Sequence, residues 1–167
     1  MRDAAEWIAR LDMVKHPEGG YYREIYRSNE TIAHDHLPER FGGDRVFSTA
    51  IVFLLRAGEF SALHRIKQDE VWHHYDGAAL TIHVIDPNGG YTPIELGCDI
   101  EKGERPQVVV RAGCLFGTTV SGEGTYALVG CTVAPGFEFD DFEMPDRDTL
   151  AKRYPQHQAI IEKLTRR

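Results

Sequence analysis

A histidine and a glutamate stand six residues apart in this chain, at His64 and Glu70, within a segment that begins at Gly58 and ends at Gly77. A neutral imidazole beside a partly buried carboxyl group has a pKa that its neighbours can move through neutrality, which suits proton transfer. The same pair can instead form a structural hydrogen bond in a core, and both interpretations stay open on the residues alone. We expect His64 to lie within hydrogen-bonding reach of Glu70 or of a tyrosine.

The alternation of side chains along a strand extends this candidate site. If Glu70 points into the protein, Trp72 and His74 point the same way, because successive side chains of a strand face opposite sides. We therefore expect His64, Glu70, Trp72 and His74 to line one cavity.

A second group of candidates lies nearer the N-terminus, where residues 21–28 alternate polar and apolar side chains as a half-buried strand does. Tyr22 and Glu24 share one face of this strand, and a buried polar pair is costly without a ligand or a mutual bond. Tyr22 is thus a candidate catalytic donor and Glu24 a candidate ligand contact. Packing is the alternative for the tyrosines, since strands favour aromatic residues.

The elements that position these residues follow from periodicity and turn residues. Residues 3–14 carry an apolar stripe at helical spacing, residues 29–44 have no periodicity and are predicted as a loop, and the tail after Pro145 returns to helix. Between them, short β-branched and aromatic runs separated by turn residues favour an antiparallel sandwich or barrel. The runs begin at Val46, Ser61, Glu70, Ala79, Pro106 and Thr125.

Length and composition agree with a single domain over residues 1–167. The net charge of −7, from 19 basic and 26 acidic residues, argues against a nucleic-acid partner. The three cysteines have no CxxC spacing, and no stretch is apolar enough to span a membrane. Without an apolar signal segment at the N-terminus, the expected compartment is the cytoplasm.

The spacing of Gly58, His64, Glu70 and Gly77 resembles the first cupin motif: Gly, five residues, His-x-His, three or four residues, Glu, six residues, Gly. With residues 16–28 and 126–144, it is similar to the Cupin_5 (DUF985) family, and the likeness covers nearly the whole chain. The resemblance implies a mainly β fold, a cupin-type double-stranded β-helix (jelly-roll barrel) with short N-terminal and C-terminal helices. It also implies a homodimer and a pocket in the barrel mouth, but no settled activity.

The cupin metal site is degenerate in this chain. Cupins hold a metal with two His and the Glu of the first motif and a His of the second motif. Ile66 stands at the second His of the first motif, and Phe116 replaces the His of the second motif, which matches residues 111–116. Since a catalytic site needs about three protein ligands, we expect no metal and no cofactor. His74 or His83 could complete only a new site.

Two functions from different classes fit these residues. The first is a binding module for a small polar, possibly carbohydrate-like molecule, which the loss of two metal ligands favours. Its ligand contacts would be Glu70, Trp72, His74, Glu24 and Phe116. The second is a metal-independent sugar isomerase or epimerase with His64 as base and Tyr22 or His74 as donor. In jelly-roll nucleotide-sugar epimerases the catalytic His follows a Leu, as His64 follows Leu63. A metal-dependent dioxygenase is the third alternative.

Overall fold

The computed structural model describes residues 3–166, in which β-strands are the main elements. The strands are β1 Val14–Lys15, β2 Tyr21–Arg27, β3 Thr31–Ile32, β4 Arg45–Val46, β5 Thr49–Arg56, β6 Phe60–His64, β7 Asp69–Gly77, β8 Leu80–Ile85, β9 Tyr91–Leu96, β10 Gln107–Val110, β11 Leu115–Val120 and β12 Tyr126–Ala134. The α-helices are α1 Ala4–Arg10, α2 Arg147–Arg153 and α3 Gln158–Lys163. Single 3-10 turns lie at His34–His36, Ile100–Lys102, Phe139–Asp141 and Pro155–His157.

Two antiparallel sheets face each other. One has six strands in the order β1-β2-β5-β12-β7-β10, and the other has four in the order β6-β11-β8-β9; β3 and β4 form a separate pair. The predicted fold class is confirmed: the protein is a mainly β jelly roll of the cupin type with short helices near its two ends. Because β6 and β7 belong to opposite sheets, His64 and Glu70 approach the interior from opposite sides.

The core fills the space between the sheets. Phe53 and Trp72 enter it from the six-stranded sheet, and Ile82 and Phe116 enter from the four-stranded sheet. The Trp72 ring lies 6.1 Å, centroid to centroid, from both Phe53 and Phe116, and in both pairs the rings meet edge-on. This geometry is preferred for aromatic pairs, and it fixes the Trp72 side chain between the two sheets.

The helices pack on parts of the outer faces of the two sheets. Helix α1, capped by Asp3 through a 2.8 Å bond from the Glu6 N–H, packs through Trp7 on the six-stranded sheet. The C-terminal helices bury Leu150 and Ile161 against the four-stranded sheet. The predicted helix over 3–14 is shorter in the structure, because the chain turns at Asp12 with a φ of 49° and enters β1.

The sequence prediction lacked the two-residue strands β1 and β3 and two longer strands, β9 and β11. Each of the longer two contains a residue that is unfavourable in strands. Strand β9 contains Pro93, which is tolerated because β9 lies at the edge of its sheet. Strand β11 contains Gly117, where a Cβ would lie 2.7 Å from the Ser61 carbonyl oxygen. The glycine therefore allows β11 to approach β6 closely.

Among residues 3–166, no helix is both long and apolar enough to cross a membrane.

Candidate functional site

A cavity of about 290 Å³ opens between the two sheets. Much of its wall is aromatic, and the polar groups that share the cavity are mostly ionisable. The aromatic lining residues are Tyr22, Phe53, Trp72, Phe137, Phe139 and Phe142. The ionisable ones include His16, Glu18, Glu24, Arg27, His64 and Glu70.

His64 forms a buried ion pair with Glu18 at the inner end of this cavity. Its Nε2 lies 3.0 Å from a Glu18 carboxylate oxygen, and its Nδ1 lies 2.7 Å from the Ala62 carbonyl oxygen. A carbonyl oxygen can only accept, so Nδ1 carries a proton and donates it. With Nε2 donating to Glu18 as well, His64 is an imidazolium whose two N–H groups are both engaged.

The pKa shifts of the pair agree with this assignment. Burial lowers the pKa of His64, but the charge and hydrogen bond of Glu18 outweigh burial, and the net pKa is raised above 6.5. Burial raises the pKa of Glu18, but His64 and His16 outweigh it, and the net pKa is lowered below 4.5. Burial lowers the pKa of His16, whose Nδ1 accepts the Glu18 backbone N–H at 3.3 Å. His16 is therefore the neutral member of the group.

Glu18 is held by the loop of residues 16–20 between β1 and β2. Its second carboxylate oxygen accepts the Ser61 hydroxyl at 3.0 Å, and its backbone carbonyl accepts the Ala62 N–H at 2.8 Å. The loop lies flat on β6 because Gly19 adopts a φ of +120° with no side chain toward the Phe60 carbonyl. Glu18 and His64 are thus positioned by the same strand.

Glu70 faces the same cavity from the opposite sheet and is 8% exposed. Burial, opposed by the charge of His64, raises the pKa of Glu70 to about 7. Its hydrogen-bond donor is the thiol of the buried Cys131 on β12. Of the four carboxyl groups that line the cavity, Glu70 is the one without an ion pair among residues 3–166.

The exposed end of the cavity carries a second ionic group. Arg27 binds both carboxylate oxygens of Glu24, at 2.9 and 3.0 Å, and one oxygen of Glu138 at 2.6 Å. A further bond to the Phe137 carbonyl, at 3.0 Å, holds the guanidinium against the loop after β12. The Arg27 guanidinium thus pairs with two carboxylates at the exposed end, or mouth, of the cavity.

The structure brings most of the predicted site residues together around this cavity. The residues that line it are Tyr22, Glu24, His64, Glu70 and Trp72. Phe116 lies behind the lining, with its ring centroid 4.2 Å from that of His64. The indole Nε1 of Trp72 is buried and has no acceptor among the described residues.

Two expectations about this site are corrected. His74 does not join the cavity: it lies beyond Trp72 on β7, its Nε2 donates to the Ala78 carbonyl at 2.9 Å, and it borders a separate surface depression with Cys98. The partner of His64 is Glu18 rather than Glu70 or a tyrosine. Sequence reasoning missed His16 and Glu18 because it used residues 16–20 as part of the family resemblance and not as candidate site residues, although two ionisable residues stand among the Pro and Gly of this segment.

The residues present do not fit the cupin metal. Ile66 lines the cavity at the position of the second His of the first cupin motif, and Phe116 packs on His64 at the position of the His of the second motif. Both nitrogens of His64 are engaged, by the Glu18 carboxylate and the Ala62 carbonyl. His83 is also engaged at both nitrogens, by Tyr91 and Thr119. In the described part of the chain, no cluster of three or more His, Cys, Asp or Glu residues has a geometry that could hold a metal ion.

Two solved structures resemble the chain over almost its full length. A protein from Shewanella oneidensis, solved by X-ray crystallography, is 44% identical, with a TM-score of 0.88 and 99% of each chain covered. A hypothetical protein from Leishmania major is 37% identical, with a TM-score of 0.91, and the match covers 99% of this chain and 100% of that one.

Oxalate decarboxylase from Bacillus subtilis shares the fold alone, at 16% identity and a TM-score of 0.55, over 90% of this chain and 36% of that one. No curated protein shows significant similarity to the chain. The sequence model of the Cupin_5 family, described as cupin superfamily (DUF985), matches residues 5–145 of the chain. The chain therefore belongs to the Cupin_5 (DUF985) family.

Proposed function

We propose that this protein binds a small polar molecule in the cavity between its sheets. The observation that carries the proposal is the buried set of ionisable groups, the His64–Glu18 pair with Glu70, at the inner end of an aromatic-walled cavity. Burying such groups is expensive, and apolar residues of similar volume would serve the core at least as well. Binding of a polar ligand accounts for the burial of these ionisable groups, whereas packing of the core does not.

Size and charge limit the ligand. Ligand pockets usually have volumes of about 300–1,000 Å³, so a cavity of about 290 Å³ suits a molecule of monosaccharide size or smaller. Four carboxyl groups against two cationic side chains disfavour a polyanion such as a nucleoside diphosphate. The unpaired N–H of Trp72 is the kind of buried donor that a polar ligand or an ordered water satisfies.

Trp72 provides the direct test. The chain has two tryptophans, and Trp7 lies on α1 outside the cavity lining, so a Trp7→Phe variant leaves Trp72 as the single tryptophan. Neutral monosaccharides, polyols and small amino alcohols should be titrated into this variant, and small molecules released on denaturation identified by mass spectrometry. We expect saturable changes in Trp72 fluorescence with at least one class. The proposal fails if no compound perturbs Trp72 and no small molecule co-purifies.

The second candidate is a metal-independent isomerase or epimerase, and the ionisation of Glu70 favours it. A carboxyl group with a pKa of about 7 is suited to proton transfer at neutral pH. His64, the base expected from the sequence, has both nitrogens engaged, so Glu70 is the better placed proton acceptor. This candidate predicts protein-dependent exchange of a sugar hydrogen next to the carbonyl for deuterium in D₂O, observed by NMR and abolished in Glu70→Gln.

A further inference from the structure

We propose that the cavity ligand is a small organic cation, an alkylammonium compound of the amino-alcohol kind, whose positive charge pairs with Glu70. The inference rests on the proposed function of the cavity as a ligand site and adds the chemical class of the ligand. It is carried by the pairing of charges around the cavity and by the aromatic walls.

The charges around the cavity are paired except at one place. At the mouth, Arg27 binds Glu24 and Glu138; at the inner end, His64 binds Glu18. Glu70 alone has no ion pair among the described residues: the charge of His64 acts on it only from a distance, and its hydrogen-bond donor is the neutral Cys131 thiol. A buried carboxylate without a counter-ion is strongly disfavoured, so Glu70 either holds a proton or needs a cation from outside the protein.

The walls of the cavity suit an organic cation rather than a hydrated metal ion. Side chains from the six-stranded sheet and from the loop after β12 place aromatic rings on the cavity wall, with the Phe137 and Phe139 centroids 5.1 Å apart. Aromatic rings attract ammonium groups through their quadrupoles, and desolvated sites do so most strongly. The rings on the cavity wall are Tyr22, Phe53, Trp72, Phe137, Phe139 and Phe142. An alkylammonium ion can occupy a cavity with such aromatic walls, because it does not require the oxygen ligands that Ca²⁺ or Mg²⁺ requires.

Glu70 then acts as the acceptor of the cation only when it has lost its proton. The groups that face it are His64 from β6, Glu18 from the loop of residues 16–20 and Cys131 from β12. Their pairing raises the pKa of His64 and lowers that of Glu18, which favours the charged form of both, whereas the pKa of Glu70 is about 7 and its charge changes near neutral pH. Binding of a cation should therefore displace one proton from Glu70 to the buffer.

The test uses choline and its uncharged isostere 3,3-dimethylbutan-1-ol. Choline has a permanent charge, so any pH dependence of its affinity comes from the protein. Affinities should be measured by Trp72 fluorescence in the Trp7→Phe background at pH 6 and pH 8. If binding requires ionised Glu70, the affinity for choline should rise about tenfold between these pH values, and calorimetry at pH 6 should show release of close to one proton per choline. The isostere should bind more weakly at pH 8 and show no such rise.

A matched pair of variants locates the charge. Glu70→Gln keeps the size of the side chain and should reduce choline affinity at pH 8 roughly tenfold or more, with no loss for the isostere. Glu101→Gln makes the same chemical change at an exposed residue of a 3-10 turn, and it should alter neither the affinity for choline nor the affinity for the isostere. The inference is overturned if choline and the isostere bind with equal affinity. It is also overturned if the affinity for choline is the same at pH 6 and pH 8 and unchanged in Glu70→Gln. Either result leaves the proposed function in place. Absence of any choline binding also overturns the inference.

Discussion

Glu70 is the residue at which stability and ligand binding compete. A carboxyl group buried without a cationic partner costs folding free energy whenever it is ionised, because water no longer solvates it. Its pKa of about 7 means that the native protein keeps the proton over a pH range in which the unfolded chain has lost it. The native state therefore binds more protons than the unfolded state between pH 4.5 and 7, and stability falls as pH rises through that range.

The Glu70→Gln variant should accordingly be more stable than the parent at high pH. At pH 8 we expect a gain in the free energy of unfolding of up to about 3 kcal/mol, since the shift is about 2.5 pKa units at 1.36 kcal/mol each. At pH 5 the difference should be small, because Glu70 is then protonated in the native parent. Urea unfolding at both pH values measures this, with exposed Glu101→Gln as the control. Equal stability gains at pH 5 and pH 8 would contradict it.

The two members of the His64–Glu18 pair differ in their dependence on pH: the stability that His64 contributes falls as pH rises, as for Glu70, whereas that of Glu18 falls as pH falls. The raised pKa of His64 contributes stability that is complete below pH 6.5 and lost as pH rises through the native value. The lowered pKa of Glu18 contributes stability that is present above pH 4.5 and lost as pH falls through its native value. Between these limits both members are charged, and the pair contributes fully.

The Glu18→Gln variant tests this pairing. Removal of the carboxylate leaves burial as the main effect on His64, so we expect the His64 pKa to fall below its value in the parent, as measured by NMR titration of the imidazole ring. Loss of one member of a buried pair should also cost about 3–5 kcal/mol of stability. Glu24→Gln, which disturbs Arg27 instead, should leave the His64 titration unchanged.

Among the elements, the loop of residues 16–20 has the largest effect on the site, because it holds both His16 and Glu18 over β6. Gly19 and Gly58 both have positive φ values, +120° and +83°, but they differ in their surroundings. A Cβ at Gly19 would lie 2.3 Å from the Phe60 carbonyl oxygen, whereas a Cβ at Gly58 meets nothing within 4 Å.

Replacement of each glycine by alanine separates backbone strain from collision. Gly58→Ala should cost about 1–2 kcal/mol, the penalty of a left-handed conformation for a residue with a Cβ. Gly19→Ala should cost more, because the strand or the loop must also move, and it should displace Glu18 from His64. Chemical denaturation gives the stability change, and the His64 NMR titration reports the lost pairing. A Gly19→Ala variant that matches Gly58→Ala in both measurements would show that the close approach is unimportant.

For the whole molecule, the outer surface of the six-stranded sheet indicates an interface. Large apolar side chains on its strands are exposed, among them Ile25 at 60%, Tyr75 at 56% and Val109 at 41%. We predict a homodimer, which light scattering should detect as twice the 18.9 kDa of one chain. Val109→Glu should weaken the dimer, whereas the same change at Ile100, which is 73% exposed in a 3-10 turn and not on a strand of the sheet, should not. A monomer at micromolar concentration would refute this.

The metal content of the purified protein is the second property of the whole molecule to measure. We predict no stoichiometric transition metal at His64 and Glu70, because two ligands give weak binding and His64 is held by Glu18 and Ala62. Elemental analysis near one metal per chain, lost in His64→Asn, would contradict the prediction.

Much of the fold could be predicted from the sequence, because the signals involved are local. Alternation of side chains and turn residues identified seven of the nine strands of four or more residues that lie within residues 3–166, and the spacing of Gly58, His64, Glu70 and Gly77 indicated the cupin arrangement. Ile66 and Phe116 stand at positions that the cupin resemblance assigns to metal ligands, and their residue types indicated that two ligands are missing. Strands β9 and β11 were not predicted, since Pro93 and Gly117 weaken a local strand signal that only an edge position or a close approach explains.

The chemistry of the site was decided by contacts between distant parts of the chain. Glu18 meets His64 because a loop before β2 folds over β6, and no local pattern encodes that meeting. His74 follows the predicted alternation yet lies away from the cavity, because Trp72 fills the space between the sheets before it. The ionisation of Glu70 depends on burial and on the charges around it. Residue types and their periods follow from the sequence, whereas distances and charge states arise only when the chain is packed.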